Sequence, residues 1–108
     1  MNPALPEIIN SYFNSSNAHQ IESILSCFSD DAVVHDEGAT LRGKSAIKGW
    51  IVKTIEKYKF QFKPLSTKNH DADVIVAVEV SGTFDGSPIT LDYHFTIENN
   101  EIQSLKIE

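Results

Sequence analysis

Two side chains in this sequence combine a reactive group with a position that shelters it. Tyr12 lies on the apolar stripe Leu5, Ile8, Ile9, Tyr12, Phe13, which has the i, i+3, i+4, i+7 spacing of an amphipathic helix. Its ring is therefore expected inside the fold, where a phenol usually finds a partner for its O–H. As a neutral group at pH 7 it can donate a hydrogen bond to an enolate but cannot serve as a base. Asp36 closes the extended run Ala32-Val33-Val34-His35-Asp36. A carboxylate at a strand end beside Phe28, Val34 and Trp50 would be desolvated and its pKa raised. Such a base suits removal of a carbon-bound proton. The plainer readings are an exposed loop carboxylate before Glu37-Gly38, and a core tyrosine bonded to a backbone carbonyl or to Asp36 itself.

Other chemistry-bearing residues are weaker candidates. His35 alternates with Asp36 on its strand and His94 alternates with Tyr93 and Phe95, so each is expected at a surface or interface. A dehydratase needs a histidine and a carboxylate to converge, and here only His94 with Asp36 can supply them. His70-Asp71-Ala72-Asp73 holds ligand-type side chains but reads as a solvated turn with no tight metal spacing. Cys27 is the single cysteine, can form no internal disulfide and has no neighbour that activates it. No phosphate-binding glycine loop and no nucleophile elbow is present. The sequence calls for neither metal nor cofactor.

The elements that must position these groups follow from periodicity. The first helix is expected to end at Asn14-Ser15-Ser16, with Pro3 and Pro6 at its start and Asn17 capping a second helix. Ile21, Ile24, Leu25 and Phe28 form the second stripe, making a helical hairpin. Asp30-Asp31 reads as a turn before the strand that ends at Asp36. After an extended piece at Ala39–Arg42 and Gly43, a third helix carries Ile47, Trp50, Ile51, Thr54, Ile55 and Tyr58 on its inner stripe. From Lys59 the period becomes two. Phe60 and Phe62 alternate with polar residues before Pro64, and Asn69-His70-Asp71 turns. Asp73–Phe84 is a long β-branched run, and Asp85-Gly86-Ser87-Pro88 is a hairpin turn. Ile89–Ile97 returns, Asn99-Asn100 turns, and Ile102–Ile107 closes the sheet. Helices first and antiparallel strands afterwards make an α+β fold, and a long twisted meander curls until helices cover its concave face.

The stretch from Tyr12-Phe13 to Phe28-Ser29-Asp30-Asp31-Ala32-Val33-Val34-His35-Asp36 resembles the opening of SnoaL-like and ketosteroid-isomerase-like proteins. Gly43-Lys44-Ser45-Ala46-Ile47 is similar to their glycine-initiated third helix, and His94-Phe95-Thr96-Ile97-Glu98-Asn99-Asn100-Glu101-Ile102 to their penultimate hairpin. The resemblance covers nearly the whole chain. It implies a single domain over residues 1–108 with the cone-shaped half-barrel of the nuclear-transport-factor-2-like (NTF2-like) superfamily: three N-terminal helices on a curved, mainly antiparallel sheet. Carried over residue by residue, it places Tyr12 on the donor to a developing oxyanion and Asp36 on the general base. The third position, a protonated acid in the isomerases, falls on Tyr93 in one register and on Asp92 in another. Tyr93 would keep a neutral O–H donor there. Epoxide-opening relatives set an arginine between two aspartates, whereas Arg42, the sole arginine, reads as a loop residue.

The function this implies is a cofactor-free ketosteroid-isomerase-like protein that binds a small apolar carbonyl compound and transfers a proton at its α-carbon. The alternative is a non-catalytic ligand-binding or dimerisation module. Phe13, Phe28, Val34, Trp50, Phe62 and Phe95 are the candidate ligand-binding residues, and Phe60 and Phe84 belong to core or wall. Little chain follows Ile107, which predicts a shallow pocket and ligands smaller than a steroid. Relatives pair through the convex face of the sheet, so a homodimer is expected through Glu79, Ser81, Thr90, Asp92, His94 and Thr96.

Bulk composition bounds the rest. With 108 residues, of which 41% are hydrophobic and 22% charged, the chain has ordinary globular composition and room for one core. A net charge of -6 without a run of basic residues argues against nucleic-acid binding. The N-terminus lacks the features of a signal peptide and no apolar stretch approaches membrane-spanning length, so a cytoplasmic location away from membranes is expected.

Overall fold

The computed structural model describes residues 5–36, 38–71 and 73–108; Pro3, Glu37 and Ala72 of the sequence reading lie outside them. The elements run α1 (Glu7–Asn17), α2 (Ile21–Ser26), β1 (Phe28–Asp36), β2 (Ala39–Arg42), α3 (Lys44–Tyr58), β3 (Gln61–His70), β4 (Asp73–Ser81), β5 (Ile89–Glu98) and β6 (Glu101–Ile107). The six strands form one sheet in the order β2-β1-β6-β5-β4-β3, in which only the β1–β6 pairing is parallel. This is the expected α+β half-barrel of the NTF2-like type.

Alternation along the strands separates the two faces. In β4, Val76, Val78 and Val80 are buried while Ala77 and Glu79 between them are half-exposed. In β5, Tyr93 and Phe95 are buried, and Thr90 and Asp92 are exposed. Register shifts bend three pairings, between Phe28 and Val33, Pro64 and Ser66, and Thr96 and Ile97. Extra residues of this kind increase twist and curl a sheet. Pro64, which cannot donate to a ladder, sits at one of these irregularities on the edge strand β3, where it is tolerated.

Several boundaries differ from those the sequence suggested. The first helix does not stop at Asn14-Ser15-Ser16 but continues to Asn17, because Ser16 falls four residues after Tyr12 on the buried face. Asn17 does not cap α2, whose N-cap is Gln20. Its side-chain amide donates to the Phe62 carbonyl at 2.9 Å and accepts from the Phe62 N–H at 2.7 Å, standing in for a missing strand partner. Phe28 opens β1 instead of ending α2, and Asp30-Asp31 lies within that strand at its irregular section, not in a turn. Strand β3 runs through Pro64 to His70, and β4 ends at Ser81 instead of Phe84.

The early end of β4 has a local cause. The Tyr58 carbonyl, left over at the end of α3, accepts the Thr83 N–H at 2.7 Å and the Thr83 hydroxyl at 3.1 Å. A Cβ on Gly82 would stand 2.3 Å from that carbonyl oxygen, so only glycine lets the two backbones come this close. The segment 82–88 is thereby fastened to the end of α3.

Candidate functional site

A cavity of about 510 Å³ opens between the helices and the concave face of the sheet. Each layer contributes to it: Tyr12 and Ser16 from α1, Ile24 from α2, and Trp50, Ile51, Thr54 and Tyr58 from α3. Phe60, Phe62, Val80, Leu91, Tyr93 and Ile107 line the sheet side, Asp36 stands at the end of β1, and Phe84, Asp85, Ile89 and Glu108 stand around the rim. The volume lies within the usual range for small-molecule sites. The fastened segment 82–88 brings Phe84 in as a wall. The ring of Phe84 meets Tyr58 edge-on, with centroids 5.7 Å apart.

The three residues singled out for chemistry, Tyr12, Asp36 and Tyr93, all reach this one cavity. Tyr12 is 2% exposed and Tyr93 4% exposed. Burial pushes the Tyr12 phenol well above its ordinary pKa, the nearby Ser16 hydroxyl opposes the shift, and the charge of Asp36 adds to it. The Tyr93 phenol is pushed up in the same sense by burial, with contributions from Tyr12 and Asp36. Both therefore keep their protons far into alkaline solution and act as neutral donors. Asp36 is held by the indole of Trp50, whose Nε1–H donates to Oδ2 at 3.0 Å. Between the two registers left open by the sequence, the one with Tyr93 at the third position places a cavity residue there. Asp92 is exposed on the outer face of β5 and is not among the lining residues.

Of the six candidate ligand-binding residues, Trp50 and Phe62 line the cavity. Phe13, Phe28, Val34 and Phe95 do not: all four are at most 2% exposed and form the packed layer behind the tyrosines. Tyr12 meets Phe13, Phe28 and Phe95 edge-on at centroid distances of 5.2, 5.8 and 5.6 Å, and this close contact leaves no room for a ligand beyond the phenol rings.

Among the lining residues that sequence reasoning did not assign to the site are the polar Ser16, Asp85 and Glu108. Ser16 was assigned to a helix end, although its i+4 spacing from Tyr12 is a readable signal. Asp85 read only as a turn residue. Glu108 carried no local signal; it reaches the rim because its backbone pairs with Asp92, with N···O distances of 3.0 and 3.1 Å.

The remaining candidates lie elsewhere. His94 Nε2 is 2.9 Å from Glu108 Oε2, a close charge contact without the alignment of a hydrogen bond, and His94 is not in the cavity. The convergence of His94 with Asp36 that a dehydratase needs is thus not made. His35 is exposed and its Nδ1 lies 3.2 Å from the Thr40 hydroxyl. Arg42 is exposed. Cys27 is buried, and burial raises its thiol pKa. Among the described residues no three His, Cys, Asp or Glu side chains converge as a metal ion requires. No helix among them is long and apolar enough to cross a membrane.

The cavity and the sheet order agree with the comparisons to known proteins. Residues 9–104 match the model of the SnoaL-like domain. The chain belongs to the SnoaL-like family. Among solved structures, a proposed polyketide cyclase from Sinorhizobium meliloti is 38% identical, superposes with a TM-score of 0.93, and the match covers 96% of this chain and 95% of that one. A protein of ketosteroid-isomerase-like fold from Catenulispora acidiphila, solved with trimethylamine, has a TM-score of 0.84 at 19% identity over 97% and 86% of the two chains. A Mycobacterium tuberculosis protein in complex with estradiol-17beta-hemisuccinate has a TM-score of 0.78 at 16% identity over 93% and 88%. The last two likenesses speak for the fold alone. No curated protein matches the chain.

Proposed function

We propose that this SnoaL-like protein binds a small apolar carbonyl compound and moves a proton at the carbon next to the carbonyl, in the manner of a ketosteroid isomerase. The observation that carries this reading is the arrival of Tyr12, Asp36 and Tyr93 at one largely apolar cavity. Asp36 takes the α-proton, and the electron pair of the broken C–H bond passes into the carbonyl to give an enolate. Tyr12 and Tyr93 donate hydrogen bonds to the enolate oxygen, where neutral donors in a water-poor site are most effective. Asp36 then returns the proton to another carbon, so that no cofactor is consumed. The Trp50 N–H donates to Oδ2, which holds the carboxylate at the cavity. Aromatic and aliphatic walls account for an apolar ligand. The 38% identical Sinorhizobium protein, a proposed cyclase of polyketides, supports a carbonyl-rich substrate. The estradiol hemisuccinate complex of the more distant relative supports the ability of the fold to hold a ligand of that size.

Asp36→Asn retains shape but not the proton acceptor. On any carbonyl substrate that wild type turns over, it is expected to lower kcat by about 10²–10⁴; undiminished turnover overturns the assignment. Phenols imitate the enolate and test the other half of the site. Tyr12→Phe is expected to weaken their binding by about 1–3 kcal/mol, and unchanged affinity removes Tyr12 from the oxyanion site.

A second reading concerns assembly. Residues on the outer face of the sheet continue across strands in one row, His35–Lys106–His94–Ile75, with Ala77 and Glu79 beside it. We propose that this mixed face, including Ser81, Thr90, Asp92 and Thr96, pairs two copies of the chain. Light scattering is expected to report a dimer at micromolar concentration, and a monomer there counts against it.

A further inference from the structure

The charged residues that line the cavity are all carboxylates. Asp36 stands at its inner wall and Asp85 and Glu108 at its rim, whereas no Lys, Arg or His is among the lining residues. Glu108 is partly balanced by Lys106 Nζ at 3.2 Å, and Lys57 Nζ lies 5.1 Å from the centre of the Tyr58 ring. Asp85 has no such neighbour among the ion pairs of the described residues, and it follows Phe84, which forms the rim with Tyr58. Its place is fixed, because Gly82 and Thr83 fasten the segment to the end of α3.

An anion entering this space would lose water, pass the exposed Asp85 and Glu108, and find the half-buried Asp36 and no cation among the lining residues. An uncharged ligand escapes that penalty. An ammonium group is attracted both by the carboxylates and by the faces of the rim aromatics. We propose that the cavity selects uncharged or ammonium-bearing ligands against carboxylates and phosphates, and that Asp85 enforces this selection at the entrance. This rests on the carbonyl-binding reading and narrows it. The substrate is then an uncharged or ammonium-bearing ketone, aldehyde or ester, and a free carboxylate within the cavity is disfavoured.

Three phenols of nearly equal size separate the two ideas: tyramine with an ammonium tail, 4-ethylphenol with a neutral one, and 4-hydroxyphenylacetate with a carboxylate. Their binding is followed at pH 7 by calorimetry. Tyramine and 4-ethylphenol are expected to bind comparably or with tyramine ahead, and 4-hydroxyphenylacetate at least tenfold more weakly than 4-ethylphenol. Asp85→Asn is expected to narrow that gap at least threefold. Equal affinity for the three tails overturns the charge selection, even if Tyr12→Phe still weakens 4-ethylphenol and so upholds the enolate site. Conversely, a tail-dependent series insensitive to Tyr12→Phe upholds the selection and overturns the enolate site. A gap that survives Asp85→Asn but closes in Glu108→Gln removes the role from Asp85. Failure of all three to bind at millimolar concentration overturns both ideas.

Discussion

The concavity of this sheet has a closed end and an open end built from the same kinds of residue. At the closed end Phe13, Phe28 and Phe95 pack edge-on around the Tyr12 ring, and Val34, Ile102 and Leu105 are fully buried in the same core. At the open end Trp50, Tyr58, Phe60, Phe62 and Phe84 surround about 510 Å³ of space. The boundary between them is the pair of tyrosines, whose rings pack against the closed end and which also line the cavity. Aromatic composition therefore does not decide whether a region is core or site. What decides is backbone anchoring: at the open end the loops carrying the rings are tied elsewhere and cannot collapse inward. Asn17 ties Phe62, the His19 Nε2–H donates to the Phe60 carbonyl at 2.7 Å, and Tyr58 ties the segment that bears Phe84.

Truncation at the two ends should therefore have different consequences. Phe95→Ala removes a fully buried ring from the closed end and is expected to cost about 3–5 kcal/mol in denaturant unfolding. A cost below 1 kcal/mol on the same scale would show that the closed end is not close-packed. Next in size is the anchor. Gly82→Ala forces the Tyr58 carbonyl and the segment 82–88 apart and is expected to cost about 1–3 kcal/mol, together with weaker phenol binding as Phe84 moves. Intact affinity would detach the rim from the site.

The boundary itself is tested by alkali. Unfolded tyrosine loses its proton near pH 10, whereas Tyr12 and Tyr93 hold theirs well beyond it in the fold. Above about pH 10 the unfolded chain then binds fewer protons than the native one, so stability falls as pH rises, by about 1.4 kcal/mol per pH unit for each tyrosine. Below that pH the contribution is complete and flat. Tyr12→Phe is expected to reduce the alkaline slope of urea-unfolding free energy by one such step, and an unchanged slope would place the Tyr12 phenol in solvent. The smallest effect belongs to Phe84→Ala. This half-buried rim residue is expected to cost about 1 kcal/mol or less in stability while measurably changing affinity for 4-ethylphenol; loss of stability without change in binding would reverse the distinction between the ends.

Periodicity was enough to read the element order and the face alternation of β4 and β5, whereas the meeting of Tyr12 and Asp36 at one site was implied by the family resemblance. Order and alternation depend on neighbours within a few residues, where a stripe of period 3.6 or 2 is visible. Other features depend on contacts far apart in the chain. Nothing near Phe28 says that it begins a strand, since its pairing with Ile102 is 74 residues away. Asn17 reads as a cap until Phe62 supplies partners that satisfy its amide better. Phe95 and Phe62 are alike in alternation and differ only in what packs on them. The Trp50–Asp36 bond joins a helix face to a strand end, so the sequence suggested proximity but not the donor.

The parallel pairing of β1 with β6 also governs when this protein becomes competent. Its two strands are the most distant pair in the sheet by sequence, and closing so long a loop is entropically costly and slow compared with forming the β3–β4 and β4–β5 hairpins. Ile107 and Glu108, at the end of β6, complete the cavity wall beside Asp36. A chain with the hairpins formed but β6 undocked would lack the wall that Ile107 and Glu108 supply beside Asp36. A ligand that needs that wall favours the docked strand by mass action.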